Sequence, residues 1–159
     1  MSWLLDTNVV SELTKPAPDP NCEAWLESHA ADCSLSTITL AELRWGIERL
    51  PEGRKKAEHE KAFQFLMEDY SGRVYDFDGP AAFEWGRLAA EIESEHGSGW
   101  WMQFDFRDTQ LAAIAREYGL TVVTRNAKHF PFTSTENPFQ PRLGPTSAER
   151  GTEQEQIRH

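Results

Sequence analysis

A chain of 159 residues with 39% hydrophobic and 26% charged residues is long enough to bury the core of one domain, and its composition excludes wholesale disorder. The formal net charge of −10 argues against a protein that holds nucleic acid by charge alone, because such binders are usually basic. It leaves room for an enzyme that gathers carboxylates around divalent cations, since bound cations reverse the local charge.

In the first half of the chain, short apolar runs alternate with longer amphipathic ones, a pattern that predicts strands alternating with helices. The helix over 22–29 should turn Ala24, Trp25 and Leu26 inward, and Thr39 should open the helix that follows the second strand. The predicted elements are a strand at 3–5, a short helix at 9–13, a helix at 22–29, a strand at 34–36 and a helix at 39–50.

The second half of the chain continues the same alternation. Asp78 precedes an amphipathic helix that ends at the glycines near 97, and Gly119 is placed to end the last helix as its C-cap. The predicted elements are a helix from 51 to about 72, a strand at 74–77, a helix from 79 to about 96, a helix at 111–118 and a strand at 120–123. We therefore predict a single α/β domain over 1–140, with a central, mainly parallel β-sheet flanked by helices, and a disordered polar tail over 141–159.

Four polar residues are candidates for a functional site, and each also has an ordinary structural explanation. Asp6 follows a strand, where Asp often caps the next helix, and Glu42 completes a T-x-x-E capping box that would begin at Thr39. Asp108 falls in the first turn of a helix, where the helix dipole favours acids. Asn126 follows the last strand, where Asn is a common turn residue.

Taken together, these four residues are predicted at the same edge of one sheet, because two follow strands and two begin helices. Clustered carboxylates repel one another unless they are protonated, hydrogen-bonded or bound to cations. Three acids and an amide favour Mg²⁺ or Mn²⁺, since hard cations prefer oxygen ligands, and the five histidines show no metal-ligand spacing. Asp105, three residues before Asp108, competes with it as a helix cap or as a ligand.

These residues occur within five segments that resemble, in order, the motifs of the PIN-domain ribonucleases, specifically the VapC/FitB-like toxins of bacterial type II toxin–antitoxin pairs. The segments are LLDTNVVSE at 4–12, STITLAELRWGI at 36–47, DTQLAAIA at 108–115, VTRN at 123–126 and NPF at 137–139. The resemblance implies that Asp6, Glu42 and Asp108 form an acidic, metal-binding catalytic triad. Asn126 falls on the fourth catalytic position, where the family often has Asp, so the resemblance leaves open whether one or two cations bind.

The resemblance also implies an activity and partners. The expected activity is a Mg²⁺- or Mn²⁺-dependent endoribonuclease that uses activated water to cleave phosphodiester bonds of RNA. The expected partners are an RNA substrate and a cognate antitoxin that covers the active site, with a homodimer of this chain inside the complex. We expect a cytoplasmic protein, because two cysteines without a CxxC motif suit a reducing compartment and no apolar run is long enough to span a membrane.

Two other functions fit parts of the sequence. Asp6 as a nucleophile would make the chain a phosphohydrolase, although haloacid-dehalogenase-like enzymes carry a second Asp where this chain has Asn8. A catalytically silent PIN-like module that binds RNA or protein would explain Asn126 and the negative charge.

Two further groups of residues each have two explanations between which the sequence does not decide. The aromatic stretch at 99–106 is either packed or covered by a partner, or it is a platform for stacking bases. A group of basic side chains either contacts phosphates or belongs to a solvated, mixed-charge face. These are Arg44, Arg49, Arg54, Lys55, Lys56 and Lys61.

Overall fold

The computed structural model describes residues 1–141, so the tail predicted over 141–159 lies outside the described residues except for its first position. Five strands form one sheet in the order β3-β2-β1-β4-β5, and every neighbouring pair is parallel. The strands are β1 (Trp3–Leu5), β2 (Cys33–Ser36), β3 (Val74–Tyr75), β4 (Thr121–Val123) and β5 (Thr135–Glu136). The predicted α/β class and parallel sheet are confirmed.

Within residues 1–141, six α-helices connect and cover these strands. They are α1 (Thr7–Glu12), α2 (Pro20–His29), α3 (Thr37–Glu48), α4 (Arg54–Asp69), α5 (Gly79–His96) and α6 (Phe106–Tyr118). Short 3₁₀ turns lie at Ala30–Asp32, Trp100–Met102 and Ala127–His129. The α5 helix begins after Asp78, as predicted, and Gly119 ends α6 with a φ of 66°, a left-handed conformation that glycine adopts without steric cost.

The core lies on both faces of the sheet because successive strand residues point to opposite sides. Leu4 and Val122 face one side, where α5 and α6 pack through residues such as Leu88 and Ile114. Trp3, Leu5 and Val123 face the other side, together with Val9 of α1, Trp25 and Leu26 of α2, and Leu35 of β2. A central strand covered on both faces needs a continuously apolar sequence, which β1 has.

Several element boundaries differ from the predicted ones. The second helix begins at Pro20 because the Asp19 side chain caps it, accepting from the backbone N–H groups of Asn21 and Cys22. Within that helix the inward position predicted for Ala24 is wrong: Ala24 is exposed, and Cys22 is buried one turn away from Trp25 and Leu26. The strand β5 was not predicted, because Thr135–Glu136 is too short to show a periodic pattern.

The α3 helix begins two residues earlier than predicted, and the reason matters for the site. Ser36, not Thr39, is its N-cap, and the Ser36 hydroxyl accepts a 3.1 Å hydrogen bond from the backbone N–H of Thr39. Glu42 therefore lies in the second turn and belongs to no capping box.

Both cysteines, Cys22 and Cys33, are free and fully buried. Within residues 1–141, none of the helices combines the length and the apolar character that a membrane span requires.

Candidate active site

The candidate site lies where the strand order reverses. The chain proceeds outward from β1 through β2 to β3, then returns to the other side of β1 to form β4. The connections that follow β1 and β4 therefore run in opposite directions and leave a crevice at the carboxyl ends of these two strands, where open α/β sheets bind ligands. Asp6 follows β1 directly and Thr124 follows β4 directly, so both lie at this crevice.

The carboxylate of Asp6 is held by three hydrogen-bond donors. Its Oδ1 accepts from the backbone N–H of Thr7 at 2.8 Å, an N-terminal cap of α1. Its Oδ2 accepts from the hydroxyl of Thr124 at 2.9 Å and from the side-chain amide of Asn8 at 3.1 Å. Asp6 is only 7% exposed, and burial raises its pKa despite the bonds from Thr124 and Thr7, which lower it. Asp6 is thus the N-cap of α1, as one of its two explanations predicted. The capping hydrogen bond also holds the carboxylate at the crevice.

Glu42 reaches the same crevice from the second turn of α3. Its Oε1 accepts a 3.1 Å hydrogen bond from the hydroxyl of Thr7, the residue next to Asp6. Burial raises the pKa of Glu42, the Thr7 bond and the Arg107 charge lower it, and the charge of Asp6 raises it further. The influence of Asp6 on this pKa means that the two carboxylates lie close enough to repel each other.

Asp108 enters from the first turn of α6, as predicted. Burial raises its pKa to about 7, and the charges of Asp6, Asp105 and Glu42 add to that effect. The imidazole Nδ1 of His129 lies 3.4 Å from its Oδ2. Burial, and after it the neighbouring carboxylates, therefore opposes ionisation of Asp108.

Asp105 is the N-cap of α6, the first of the two roles predicted for it, and its role as a ligand stays a prediction. Its carboxylate accepts from the backbone N–H of Arg107 at 2.8 Å and pairs with the Arg107 guanidinium, also at 2.8 Å. The guanidinium holds the pKa of Asp105 below its usual range. Arg107 also lies 3.5 Å from Oε2 of Glu42, so it is a cation at the rim of the acidic cluster.

The structure places Asn126 next to the crevice, immediately after the end of β4, and its backbone N–H donates to the hydroxyl of Thr124 at 3.0 Å. Among residues 1–141, the side-chain amide of Asn126 makes no hydrogen bond with the three acids, and its catalytic role stays a prediction.

Sequence reasoning missed the residues that orient the acids. These are Thr7, Asn8, Thr124, Arg107 and His129; a polar Thr directly after the apolar run of β4 was the one available signal.

The acids fit a hard divalent cation in ligand type and in charge. Asp6, Glu42 and Asp108 offer carboxylate oxygens, and burial together with neighbouring negative charges keeps the pKa of Asp108 raised despite Arg107. As the side chains stand within residues 1–141, no three His, Cys, Asp or Glu residues are arranged to hold a metal ion. Glu42 and Asp108 instead lie beside the cationic or ionisable side chains of Arg107 and His129.

Two other surfaces adjoin the acids. An apolar groove of about 590 Å³ runs from Thr7 and Glu42 between α1, α3 and α4, and we call it the α3–α4 groove. Its apolar wall includes Val10, Leu43, Ile47, Phe63, Phe65 and Leu66. Along α3 and α4, several of the predicted phosphate contacts are ion-paired: Arg44 with Glu48 and Glu60, Arg54 with Glu58, and Lys56 with Glu52.

Comparison with known proteins gives a consistent result. The model of the PIN domain family matches residues 3–133. The chain is 38% identical over 129 residues to the toxin FitB of Neisseria gonorrhoeae, covering 80% of this chain and 89% of that protein. It is 32% identical over 142 residues to the VapC ribonuclease Y4jK of Sinorhizobium fredii, covering 87% and 98%. The crystal structure of FitAcB from Neisseria gonorrhoeae matches with a TM-score of 0.75 at 35% identity, covering 87% of this chain and 99% of that chain.

Proposed function

This chain belongs to the PIN domain family and is a ribonuclease toxin of the VapC and FitB type, and from that premise we propose that it is a Mg²⁺- or Mn²⁺-dependent endoribonuclease acting through Asp6, Glu42 and Asp108. The observation that carries the proposal is the meeting of three carboxylates, from the end of β1 and from α3 and α6, at the crevice where the strand order reverses. A cluster that raises the pKa of Asp108 to about 7 is costly for the bare protein. A divalent cation would offset that cost.

In the proposed mechanism Asp6 and Asp108 hold the cation, and Glu42 completes the ligand set or orients the attacking water. Bound there, Mg²⁺ or Mn²⁺ would polarise the scissile phosphate and lower the pKa of a nearby water. Thr124, Asn8 and the backbone of Thr7 keep the Asp6 carboxylate in one orientation. Water attacks phosphorus in line, the bond to the departing 3′ oxygen breaks, and that oxygen takes a proton, so the products end in a 5′-phosphate and a 3′-hydroxyl. Asn126 acts as an outer hydrogen-bonding group.

Asp6 is a poor candidate for the alternative role of a phosphohydrolase nucleophile. Haloacid-dehalogenase-like enzymes carry a second Asp where this chain has Asn8, and the side-chain amide of Asn8 donates to Oδ2 of Asp6. An amide cannot exchange a proton with a leaving group as a second carboxyl could. We therefore favour metal-assisted attack by water over a covalent aspartyl-phosphate.

For the partner, we propose that a cognate antitoxin lays an apolar segment in the α3–α4 groove and directs a basic side chain toward Glu42. The crystal structure of the relative FitAcB is one of the toxin–antitoxin complexes that this chain resembles. The groove has a largely apolar wall and reaches Glu42 at one end, so one segment can fill the groove and cover that acid. The net charge of −10 favours a basic partner.

We place the protein in the cytoplasm, where free cysteines are stable, and keep a homodimer as a prediction.

The test is cleavage of a broad RNA pool by the purified chain, freed of antitoxin, in Mg²⁺, Mn²⁺ or EDTA. We expect cleavage only with the cations, products with 5′-phosphates, and a loss on the order of 100-fold or more in Asp6→Asn and Asp108→Asn. Asp32→Asn is the matched control. Asp32 is exposed and directly precedes β2, so it lies at the amino end of that strand, away from the carboxyl ends where the site is. Wild-type protein that cleaves nothing with either cation would support the silent module instead, and an active Asp6→Asn variant would reject the assigned site.

A further inference from the structure

An exposed indole lies one helical turn beyond Glu42. Trp45 follows Glu42 by three residues on α3, so the two side chains share a face of that helix. Trp45 is 54% exposed, and it lines a hollow of about 290 Å³ between α3 and α6. Glu42 and Arg107 line the same hollow, which therefore opens directly onto the acidic cluster.

Two guanidinium groups lie over the ring of this indole, so a base that stacks on the ring must displace one of them toward its phosphate. The guanidinium carbon of Arg49 lies 4.7 Å from the centre of the Trp45 ring, and that of Arg107 lies 5.8 Å from it. Within the part of the chain that the structure describes, Arg49 forms no ion pair, whereas the neighbouring Arg44 pairs with Glu48 and Glu60. Arg107 is 45% exposed although it contacts Asp105 and Glu42. The rim of the site thus carries two accessible cations in a strongly acidic protein.

We propose that Trp45, Arg49 and Arg107 form a binding site for the nucleotide next to the scissile phosphate, with its base stacked on the Trp45 ring and its phosphate paired with the two guanidiniums. The proposal rests on the ribonuclease function proposed above. We call these three residues the Trp45 subsite. It selects single-stranded RNA, because a base must leave its own stack before it can lie on a protein ring.

The chemistry of the three side chains supports this role over a structural one. A tryptophan that only stabilised α3 would be expected to bury its ring, as Trp3 and Trp25 do in the core. Guanidinium groups are suited to phosphate because they present several donors in one plane. Arg49 and Arg107 also offset the repulsion that a phosphate meets near Asp6, Glu42 and Asp108.

The aromatic stretch at 99–106 offers a less suitable surface for the same task. Trp100 is buried and lies 6.2 Å from Trp85, ring centre to ring centre, so that part of the stretch is packed, as one of its two explanations predicted. Trp101 is 66% exposed but does not line the hollow beside Glu42. It therefore provides a matched control, an exposed tryptophan outside the proposed site.

The experiment measures the affinity of the full chain for a fluorescent single-stranded RNA oligonucleotide in Ca²⁺, which occupies oxygen-ligand sites. We expect Trp45→Ala to weaken binding by about 5- to 100-fold, the range for losing one base–aromatic stack. Trp45→Phe should keep most of the affinity, Arg49→Gln should reduce the salt dependence of binding, and Trp101→Ala should bind like wild type. In cleavage assays Trp45→Ala should raise KM more than it lowers kcat. Circular dichroism checks that each variant is folded.

Equal affinities for Trp45→Ala and wild type would overturn the proposal, and so would a loss seen in Trp101→Ala but not in Trp45→Ala. If Trp45→Ala binds RNA normally and binds the antitoxin more weakly, the surface is a protein contact and the proposal is wrong. Failure of the wild-type chain to cleave RNA with Mg²⁺ or Mn²⁺ would count against the proposed function alone. The binding measurement decides the Trp45 subsite in that case as well.

Discussion

The hydroxyl of Thr124 donates a 2.9 Å hydrogen bond to Oδ2 of Asp6, across 118 residues of sequence. This bond joins the ends of the two central strands, and Thr124 is fully buried where it forms. The same hydroxyl oxygen accepts from the backbone N–H of Asn126, so one side chain orders both Asp6 and the loop after β4. Thr124 is thus a positioning residue for the proposed metal ligand.

Replacing Thr124 with valine should weaken metal binding and cleavage without removing an acid. Valine keeps the shape and loses the hydroxyl, so Asp6 loses a donor that lowers its pKa. We expect a loss of about 10- to 100-fold in metal affinity, measured by titration calorimetry with Mn²⁺, and a similar loss in cleavage. Thr124→Ser, which retains the hydroxyl, should stay near wild type. Wild-type affinity in Thr124→Val would show that this bond does not tune the site.

Replacing Asp108 with asparagine should stabilise the metal-free protein while it removes activity. The folded-state pKa of Asp108 is about 7, above its ordinary value of 3.8, so ionisation of this group opposes folding. The free energy of unfolding of the wild type, relative to that of the variant, should fall as pH rises from about 4 to about 7. Above pH 7 the difference between the two free energies should stay constant. At pH 8 we expect the variant to gain about 1–3 kcal/mol in free energy of unfolding, measured with urea in EDTA.

Divalent cations provide the control for the Asp108→Asn prediction. Mg²⁺ or Mn²⁺ should stabilise the wild-type protein, because binding to the folded state adds to its stability. The difference in free energy of unfolding between Asp108→Asn and the wild type should therefore become smaller. An Asp108→Asn variant that is less stable than wild type in EDTA at pH 8 would contradict the electrostatic account of the cluster.

A charged side chain in the α3–α4 groove should separate antitoxin binding from catalysis. Phe65 lines the groove and is 55% exposed, so Phe65→Glu should fold and should leave RNA cleavage by the free chain unchanged. We expect its affinity for the antitoxin to fall by more than about tenfold, because a carboxylate would be buried against an apolar segment. Phe83→Glu, at a 74% exposed position on α5 outside the groove, is the control. Unaltered antitoxin binding by Phe65→Glu would place the partner elsewhere.

The two cysteines should be unreactive in the folded protein. Burial is the main cause that raises the pKa of both Cys22 and Cys33 to about 11, from an ordinary value of 9.0. Iodoacetamide at pH 8 should therefore modify neither thiol in buffer and both in urea, as counted by mass spectrometry. Because the unfolded thiols ionise first, their contribution should lower the free energy of unfolding between about pH 9 and pH 11. Rapid native labelling of either cysteine would contradict the observed packing.

Most of the fold could be predicted from the sequence because its signals are local. The apolar run of Thr121–Val123 predicts a strand and Gly119 predicts the end of α6 without reference to any distant residue. Both lie where expected. The boundaries that were wrong depend on competition between neighbouring polar groups. Ser36 and Thr39 both have side chains suited to an N-cap, and Ser36 is the cap because it is the last residue of β2, where the chain turns directly into the helix. The position of Ala24 was wrong because burial along α2 depends on where the helix begins.

For the site, the sequence by itself determined which acids are available, that Asp6 follows a strand and that Asp108 lies in the first turn of a helix. Only the tertiary structure decided how each carboxylate is held and charged. Hydrogen bonds from Thr7 to Glu42 and from Thr124 to Asp6 join segments 35 and 118 residues apart, and no local pattern encodes such distances. The raised pKa of Asp108 likewise depends on burial and on the charges of Asp6 and Glu42, which lie on two other segments. Both properties arise from proximity in space, which exists only once the sheet has formed.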